Sequence, residues 1–356
     1  MPSDAAACPA RAGSLDHPRP APPCGEPVAL MPGLWWLRLR LPLRLDHVNA
    51  WLIEEEDGTL TVIDTGFDDA ETRAVWRRVL EGPFRHRPLR RVIATHYHPD
   101  HIGLAGWLCG ITGAELWAAR SEWLMARMLA LDTSAEFDRA YERYDRRAGL
   151  PEELIRARRA AGNLWRTRAG PPPGHHRRLR HGDLLAVGPF TFRVIVGEGH
   201  APEMVTLVDE AAGLLIAADQ ILPRISPVVS VPPSMPEADV LADFLASLDR
   251  YRPLAPDLLV LPSHGRPFRG LHRRLDELAA HHEARLARAL AACDRPRTVY
   301  EVMPALFDFA IDRSQLGFAL GETYAHLQHL WRRGELDREL GSDGALRFRR
   351  RDRTGD

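Results

Sequence analysis

The sequence predicts a layered α/β protein carrying a helical insertion and a small C-terminal domain. Three observations predict it. Short apolar runs of strand character alternate with helical patterns along most of the chain, which argues for sheets covered by helices. Residues 121–170 break that rhythm with consecutive helical stretches. Beyond Pro296 the pattern changes again, to three helices and a hairpin, the order of a winged helix. The chain has 356 residues and is 45% hydrophobic, enough for one large domain and a smaller one.

Ordered structure is expected from Val28, after a Pro- and Ala-rich disordered tail over residues 1–27. Leu34–Arg40 alternates as a strand, Asn49–Glu54 is a second, and Thr59–Ile63 returns after the turn Glu55-Glu56-Asp57-Gly58. Asp68 or Asp69 starts a helix through Val75, Val79 and Leu80, which Gly82-Pro83 stops. Arg91–Ala94 is a short buried strand, and a helix follows from His101 to Gly110. In the insertion, Ser121 caps a first helix, with others over Ala135–Arg147 and Pro151–Arg168, before Pro171-Pro172-Pro173-Gly174 breaks the chain. These helices either pack as a layer or form a lid that excludes water.

Strands resume at Phe190–Val196, Met204–Val208 and Leu214–Ala217. A helix over Pro236–Leu248, the strand Leu258–Leu261 and an amphipathic helix over Gly270–Ala292 close the main domain, residues 28–292. The C-terminal unit, residues 296–350, contains helices Val299–Phe307, Ser314–Leu320 and Glu322–Arg333, then strands Gly334–Leu340 and Ala345–Arg349.

Composition excludes several classes. Lys plus Arg (47) nearly balances Asp plus Glu (48), so no global field draws the chain to nucleic acid or membrane. All of that positive charge is arginine. The cysteines Cys8, Cys24, Cys109 and Cys293 form no Cys-x-x-Cys pair, which argues against a disulfide framework or a thiolate zinc site and fits a reducing cytoplasm. Residues 1–25 lack the apolar stretch of a secretory signal, and no run is long enough to span a bilayer. Gly-x-Ser-x-Gly, P-loop and His-Glu-x-x-His motifs are absent.

The chemistry concentrates in seven residues. Thr95-His96-Tyr97-His98-Pro99-Asp100-His101 follows the strand at 91–94. In an extended segment His96, His98 and Asp100 share one side, and His101 reaches a neighbouring position as the chain turns into a helix. Pro99 keeps His98 extended. His200 lies in Gly197-Glu198-Gly199-His200, Asp219 ends the apolar run Leu214–Ala218, and His264 follows Leu261-Pro262-Ser263. Each lies at the end of a strand, where α/β sheets gather their sites. So many imidazoles and carboxylates rarely crowd together without a metal, and zinc, iron and manganese suit them. Tyr97 should face away and pack. Arg224 either grips an anionic substrate group or makes a salt bridge. The pairs His175-His176 and His281-His282 read as surface features.

His-x-His-x-Asp-His with a later histidine, aspartate and histidine resembles the metallo-β-lactamase superfamily over roughly residues 30–270. The resemblance implies a four-layered αβ/βα sandwich with two mixed sheets inside. It implies one metal on His96, His98 and His200, a second on Asp100, His101 and His264, and Asp219 bridging both. Asp64, in Val62-Ile63-Asp64-Thr65-Gly66, matches the motif that supports the histidine loop. The pattern is similar to the glyoxalase II, lactonase and phosphodiesterase branches, not the cysteine-containing β-lactamases. The basic C-terminal pattern with which glyoxalase II holds glutathione is not found.

The implied chemistry is hydrolysis assisted by two divalent ions, zinc first with iron or manganese as alternatives, which lower the pKa of a water. Asp100 is the expected catalytic carboxylate, ligand and proton acceptor together. The leading expectation is a cytoplasmic hydrolase of a small-molecule thioester, ester or lactone, with homodimer assembly an open alternative. A nuclease or phosphodiesterase acting on RNA or DNA is the second, resting on the winged helix and on Arg347, Phe348, Arg349, Arg350, Arg351 and Arg353. A regulatory or redox protein is the third, but no flavin-binding extension is visible.

Overall fold

The computed structural model of the chain describes residues 15–308, 311–312 and 315–351. Its strands are β1 (Val28–Met31), β2 (Leu34–Arg40), β3 (His47–Glu54), β4 (Leu60–Ile63), β5 (Leu89–Ile93), β6 (Glu115–Ala118), β7 (Arg177–Arg178), β8 (Leu184–Val187), β9 (Phe190–Gly197), β10 (Met204–Asp209), β11 (Leu214–Ala218), β12 (Leu259–Pro262), β13 (Arg297–Thr298), β14 (Leu336–Leu340) and β15 (Leu346–Arg350). Its α-helices are α1 (Ala70–Glu81), α2 (Pro99–Ile102), α3 (Ala105–Thr112), α4 (Arg120–Leu131), α5 (Ala135–Arg147), α6 (Glu152–Ala161), α7 (Val240–Leu248), α8 (Leu271–Ala292), α9 (Val299–Leu306) and α10 (Leu316–Arg332).

Strands β1 to β7 pair in chain order in one sheet, and β12-β11-β10-β9-β8 form a second. Both sheets are mixed. β4 to β7 run parallel and β1 to β4 antiparallel, while β11 and β12 are the parallel pair of the second sheet. Parallel neighbours need a crossover. Accordingly α1 joins β4 to β5, α2 and α3 join β5 to β6, and α7 joins β11 to β12.

The period of two along a strand shows the layering. In β3, Val48, Ala50 and Leu52 join a core with Trp76 of α1 and Leu108 of α3, while Trp51 and Ile53 join another with Val194, Leu207 and Leu261 of the second sheet. In β11, Leu214 and Ile216 enter that inter-sheet core, whereas Leu215 and Ala217 face Phe244 of α7 and Leu275 of α8. Helices, sheet, sheet and helices therefore stack in four layers. Both sheets are buried on both faces, so their strands read as continuous apolar runs.

β13, β15 and β14 make a third, antiparallel sheet packed with α8, α9 and α10. The two helices expected over 314–320 and 322–333 are one, α10. Gly321, which separates the two expected stretches, lies inside the helix, at a place where any side chain would collide with Ser230 Oγ. The insertion helix expected to reach Arg168 stops at Ala161, where Gly162 takes a left-handed φ of 65°. The helix expected over 101–110 is two helices, α2 and α3. Strands β6, β7 and β8 lacked the alternation that marks a strand and were not expected.

The tail expected to be disordered over 1–27 is in place from Leu15 on. The backbone of Asp16 pairs with that of Arg269 and the backbone of Cys24 with that of Arg38, each as an isolated β-bridge, and His17 Nδ1 lies 3.0 Å from the Pro267 carbonyl. Residues 1–14, Cys8 among them, lie outside the described residues, as do Ser314 and Arg353. Cys24, Cys109 and Cys293 are free thiols, and no described helix is long and apolar enough to cross a membrane.

Candidate metal centre

β5 delivers Thr95 and His96 to the sheet edge, and α2 begins at Pro99, so His98 just before it stays extended. From the second sheet, β9 ends before His200, β11 before Asp219 and β12 before His264. Ala218 holds a left-handed φ of 48° though it is not glycine. Such backbone costs roughly 1–3 kcal/mol, and here it turns the chain out of β11 just ahead of Asp219.

All seven predicted residues meet. His96 Nε2 lies 2.9 Å from His98 Nδ1, His98 Nδ1 lies 2.9 Å from His200 Nε2, and His200 Nε2 lies 3.2 Å from His96 Nε2. Beside them, His264 Nε2 is 3.5 Å from Asp100 Oδ2, and His101 Nε2 is 3.6 Å from the same oxygen. Asp219 faces both groups. Its Oδ2 is 3.4 Å from His200 Nε2 and 3.6 Å from His101 Nε2, while its Oδ1 is 3.3 Å from His264 Nε2.

The outer ring nitrogens show which way the lone pairs point. His200 Nδ1 is 2.8 Å from the Val228 carbonyl, His264 Nδ1 is 2.7 Å from the His47 carbonyl, and His101 Nδ1 is 2.8 Å from Asp64 Oδ2. Each of these partners is an acceptor, so each outer nitrogen carries the proton and each inner nitrogen of a neutral ring presents a lone pair. The lone pairs of His96 Nε2 and His200 Nε2, 3.2 Å apart, repel unless a proton or a cation lies between them, and His98 Nδ1 stands 2.9 Å from both. His101 Nε2 and Asp219 Oδ1 are buried without any hydrogen-bond partner, a costly state for polar atoms. Three sets fit a cation: His96, His98 and His200; His96, His101 and Asp219; and Asp100, His101 and His264. Zinc with ligand nitrogens at about 2.0–2.1 Å spaces them roughly 3.3 Å apart, close to what the rings show.

Electrostatics separates the two sides. Burial, reinforced by neighbouring histidines, pushes His96 well below its ordinary value and His98 down to about 3. Burial works against the charge of Asp100 too, but His101 and His264 overcome it and hold its carboxyl at about 2. His264 is raised, because Asp219 and Asp100 outweigh its burial. His101 is raised as well, by Asp100, Asp64 and Asp219 against its burial. Neutral His96 and His98 and ionised Asp100 are in the states a metal requires, while His101 and His264 would give up a proton to bind one.

Surrounding residues set the loops. Asp64, at a left-handed φ of 62°, also accepts Thr95 N and Thr95 Oγ1, each at 2.8 Å. Glu122 of α4 had no sequence signal beyond that of an acid in a helix's first turn. Its two oxygens take the backbone N–H of Tyr97 at 2.9 Å and of Glu203 at 2.5 Å, binding the His98 loop to the His200 loop. Burial raises its carboxyl to about 7. Ser121, expected as the cap of α4, instead lies in its first turn and donates its N–H to Glu203. Asn49 Nδ2 donates to the Pro262 and Gly265 carbonyls and so fixes the turn that carries His264.

The remaining sequence expectations divide. Tyr97 packs beside Ala201, Met204 and Ala218, its ring 4.5 Å from that of His98. Arg224 is exposed beside a groove of about 680 Å³ and has no ion pair among the described residues, so the salt bridge expected of it is not made. His176 stacks on Trp123. The surface role expected of His282 is wrong: it is fully buried, because α8 packs that face against α10.

The profile of the metallo-beta-lactamase superfamily matches residues 43–264. The chain belongs to the metallo-β-lactamase superfamily. A profile described as the metallo-beta-lactamase-like C-terminal domain matches residues 286–351. A crystal structure of a beta-lactamase domain protein from Burkholderia ambifaria is 40% identical, with a TM-score of 0.88 over 95% of this chain and 98% of the other. A metallo-beta-lactamase family protein from Thermus thermophilus is 32% identical, with a TM-score of 0.76 over 91% of this chain and 100% of the other. A metallo-beta-lactamase of Cronobacter sakazakii, 21% identical, shares the fold with a TM-score of 0.52 over 75% of this chain and 98% of the other. No curated protein matches the chain.

Proposed function

We propose that this superfamily member is a metal-dependent hydrolase of a small-molecule thioester, ester or lactone, working with two divalent ions, zinc first and iron or manganese as alternatives. The observation that carries this reading is the orphaned inner face of the centre, where lone pairs and carboxylates converge while every outer nitrogen named above is spoken for. His96, His98 and His200 would hold one ion, Asp100, His101 and His264 the other, with Asp219 between them. Ions bound there supply a lowered pKa for water and stabilisation of developing negative charge.

The chain's own groups complete the chemistry. Asp100 is ionised and its side chain is 16% exposed, against 8% for Asp219, so it is the carboxylate better placed to take a proton from an incoming water. Asp64 keeps His101 in a single tautomer and ring orientation. Glu122 prevents the two histidine loops from separating.

A small uncharged electrophile suits the near-balance of charge better than a polyanion does. Part of the C-terminal run that suggested nucleic acid is engaged within the chain. Arg347 pairs with Asp343, Arg351 pairs with Asp337, and Phe348 is buried. The test is elemental analysis of purified protein joined to a panel of thioester, lactone, phosphodiester and RNA substrates. Turnover of a thioester, ester or lactone should vanish with a chelator and return with metal. Turnover that survives complete metal removal, or that is confined to RNA and phosphodiesters, would overturn the proposal.

A further inference from the structure

A second histidine cluster lies between α8 and α10, outside the metal centre. His282 and His326 are fully buried. His326 Nδ1 is 2.7 Å from the Glu322 carbonyl, His282 Nδ1 is 3.3 Å from His326 Nε2, and Ser226 Oγ is 3.2 Å from His282 Nε2. One proton assignment satisfies all three contacts. A carbonyl only accepts, so His326 carries its proton on Nδ1 and accepts at Nε2. His282 must then donate from Nδ1 and accept at Nε2, where the Ser226 hydroxyl shares its one proton between that nitrogen and the Pro227 carbonyl at 3.1 Å. Both rings are neutral, pushed down by burial to about 2 for His282 and about 3 for His326.

The relay ends on the loop that supports His200. Two residues beyond Ser226, the Val228 carbonyl receives His200 Nδ1 at 2.8 Å. Further bonds hold the same loop to the same helices. Buried Arg274 of α8 donates to the Leu222 carbonyl at 2.5 Å and to the Ile225 carbonyl at 2.9 Å. Val231 N donates to the Gly321 carbonyl of α10, and Tyr144 of α5 donates to the Val231 carbonyl at 2.9 Å. The loop 222–231 is thus a strap, anchored on the C-terminal helices and ending its work at a ring of the centre.

We infer that Ser226, His282 and His326, with Arg274, are positioning residues for His200, and that the C-terminal helices belong to the scaffold of the metal centre. This rests on the metal reading of the centre for its purpose, though not for its geometry. The Val228 carbonyl decides both the tautomer and the rotation of the His200 ring, so a strap that drifts presents Nε2 in the wrong direction. Supports of this kind are worth about 10–100-fold in metal affinity when lost directly. An indirect support such as Ser226 should be worth less, on the order of threefold to tenfold by the same scale.

The test compares Ser226→Ala with Ser226→Thr, which keeps a hydroxyl, in the full chain. Two readouts are taken on folded protein. One is hydrogen exchange of the His200 Nδ1 proton, followed by nitrogen-15 NMR after chelator treatment. The other is cobalt affinity, from the visible spectrum during competition with a chelator. Ser226→Ala should speed that exchange and weaken cobalt binding by threefold to tenfold, and Ser226→Thr should restore both. Unchanged exchange in Ser226→Ala would overturn the inference, as would cobalt affinity equal to that of the parent. A parent that binds no cobalt would instead sink the metal reading, while the exchange measurement still decides whether the strap holds His200.

Discussion

The chain folds around two histidine clusters, and their contrast separates a binding centre from a structural support. In the first, His96 and His200 turn lone pairs toward one another with His98 Nδ1 against both, and His101 Nε2 and Asp219 Oδ1 have no partner. In the second, Ser226, His282 and His326 form a chain in which each donor meets an acceptor. Each holds fully buried rings, His96 and His101 in one and His282 and His326 in the other, so burial does not tell them apart. Carboxylates do: Asp100 and Asp219 complete the first cluster, and only a backbone carbonyl ends the second. A cation is demanded where acceptors converge unpaired, and is redundant where they are matched.

The largest way to break this contrast is Asp219→Ala, which removes the carboxylate shared by both ligand sets. Turnover should fall on the order of a thousandfold or more, since several kcal/mol of charge stabilisation is at stake, and metal content should fall with it. Parallel assay and elemental analysis check this, and full activity in a metal-free variant would refute it. Next is Asp64→Asn, which turns an amide toward donors that now meet a carboxylate. Metal affinity should drop about 10–100-fold, read by chelator competition, with the fold retained.

The second cluster predicts a pH effect of defined sign. His282 is lowered by burial first and by His326 next, to about 2 from 6.5. Below 6.5 the unfolded chain therefore takes up a proton that the folded ring refuses until about 2, so stability falls as pH drops through that window. The slope reaches at most about 1.4 kcal/mol per pH unit for one group. His282→Gln should be less stable overall but should lose on the order of 1–2 kcal/mol less than the parent between pH 6.5 and 5. Urea unfolding of chelator-treated protein at the two pH values measures this, and equal losses would contradict the buried neutral state. The smallest effect belongs to Arg347→Gln. Its ion pair with Asp343 is a surface one, and such pairs contribute little, so neither the unfolding midpoint nor affinity for RNA should move measurably.

What the sequence disclosed follows the same division. The first cluster was legible because His96, His98, Asp100 and His101 are packed into one short run, and His200, Asp219 and His264 each close an apolar strand. His282 was not legible. Adjacent histidines on an amphipathic helix look solvated until the partner helix is known, and α10 lies more than thirty residues away in the chain. Glu122 was hidden for a similar reason, since its two backbone partners, Tyr97 and Glu203, come from distant loops. Strands announced themselves where β-branched and apolar residues run together, as in β9 and β11. They were silent in β7, two arginines held at a sheet edge by pairing with Trp117 and Ala118.

His96, His98, Asp100 and His101 come from the seven-stranded sheet, and His200, Asp219 and His264 from the five-stranded one. An ion gripped by both halves would work like a rivet along the seam, and the sandwich could not open at that edge without first shedding it. Melting temperature should then track free metal concentration, rising with the logarithm of supply over dissociation constant, so the durability of this protein in a cell would depend on how well that cell is fed with metal.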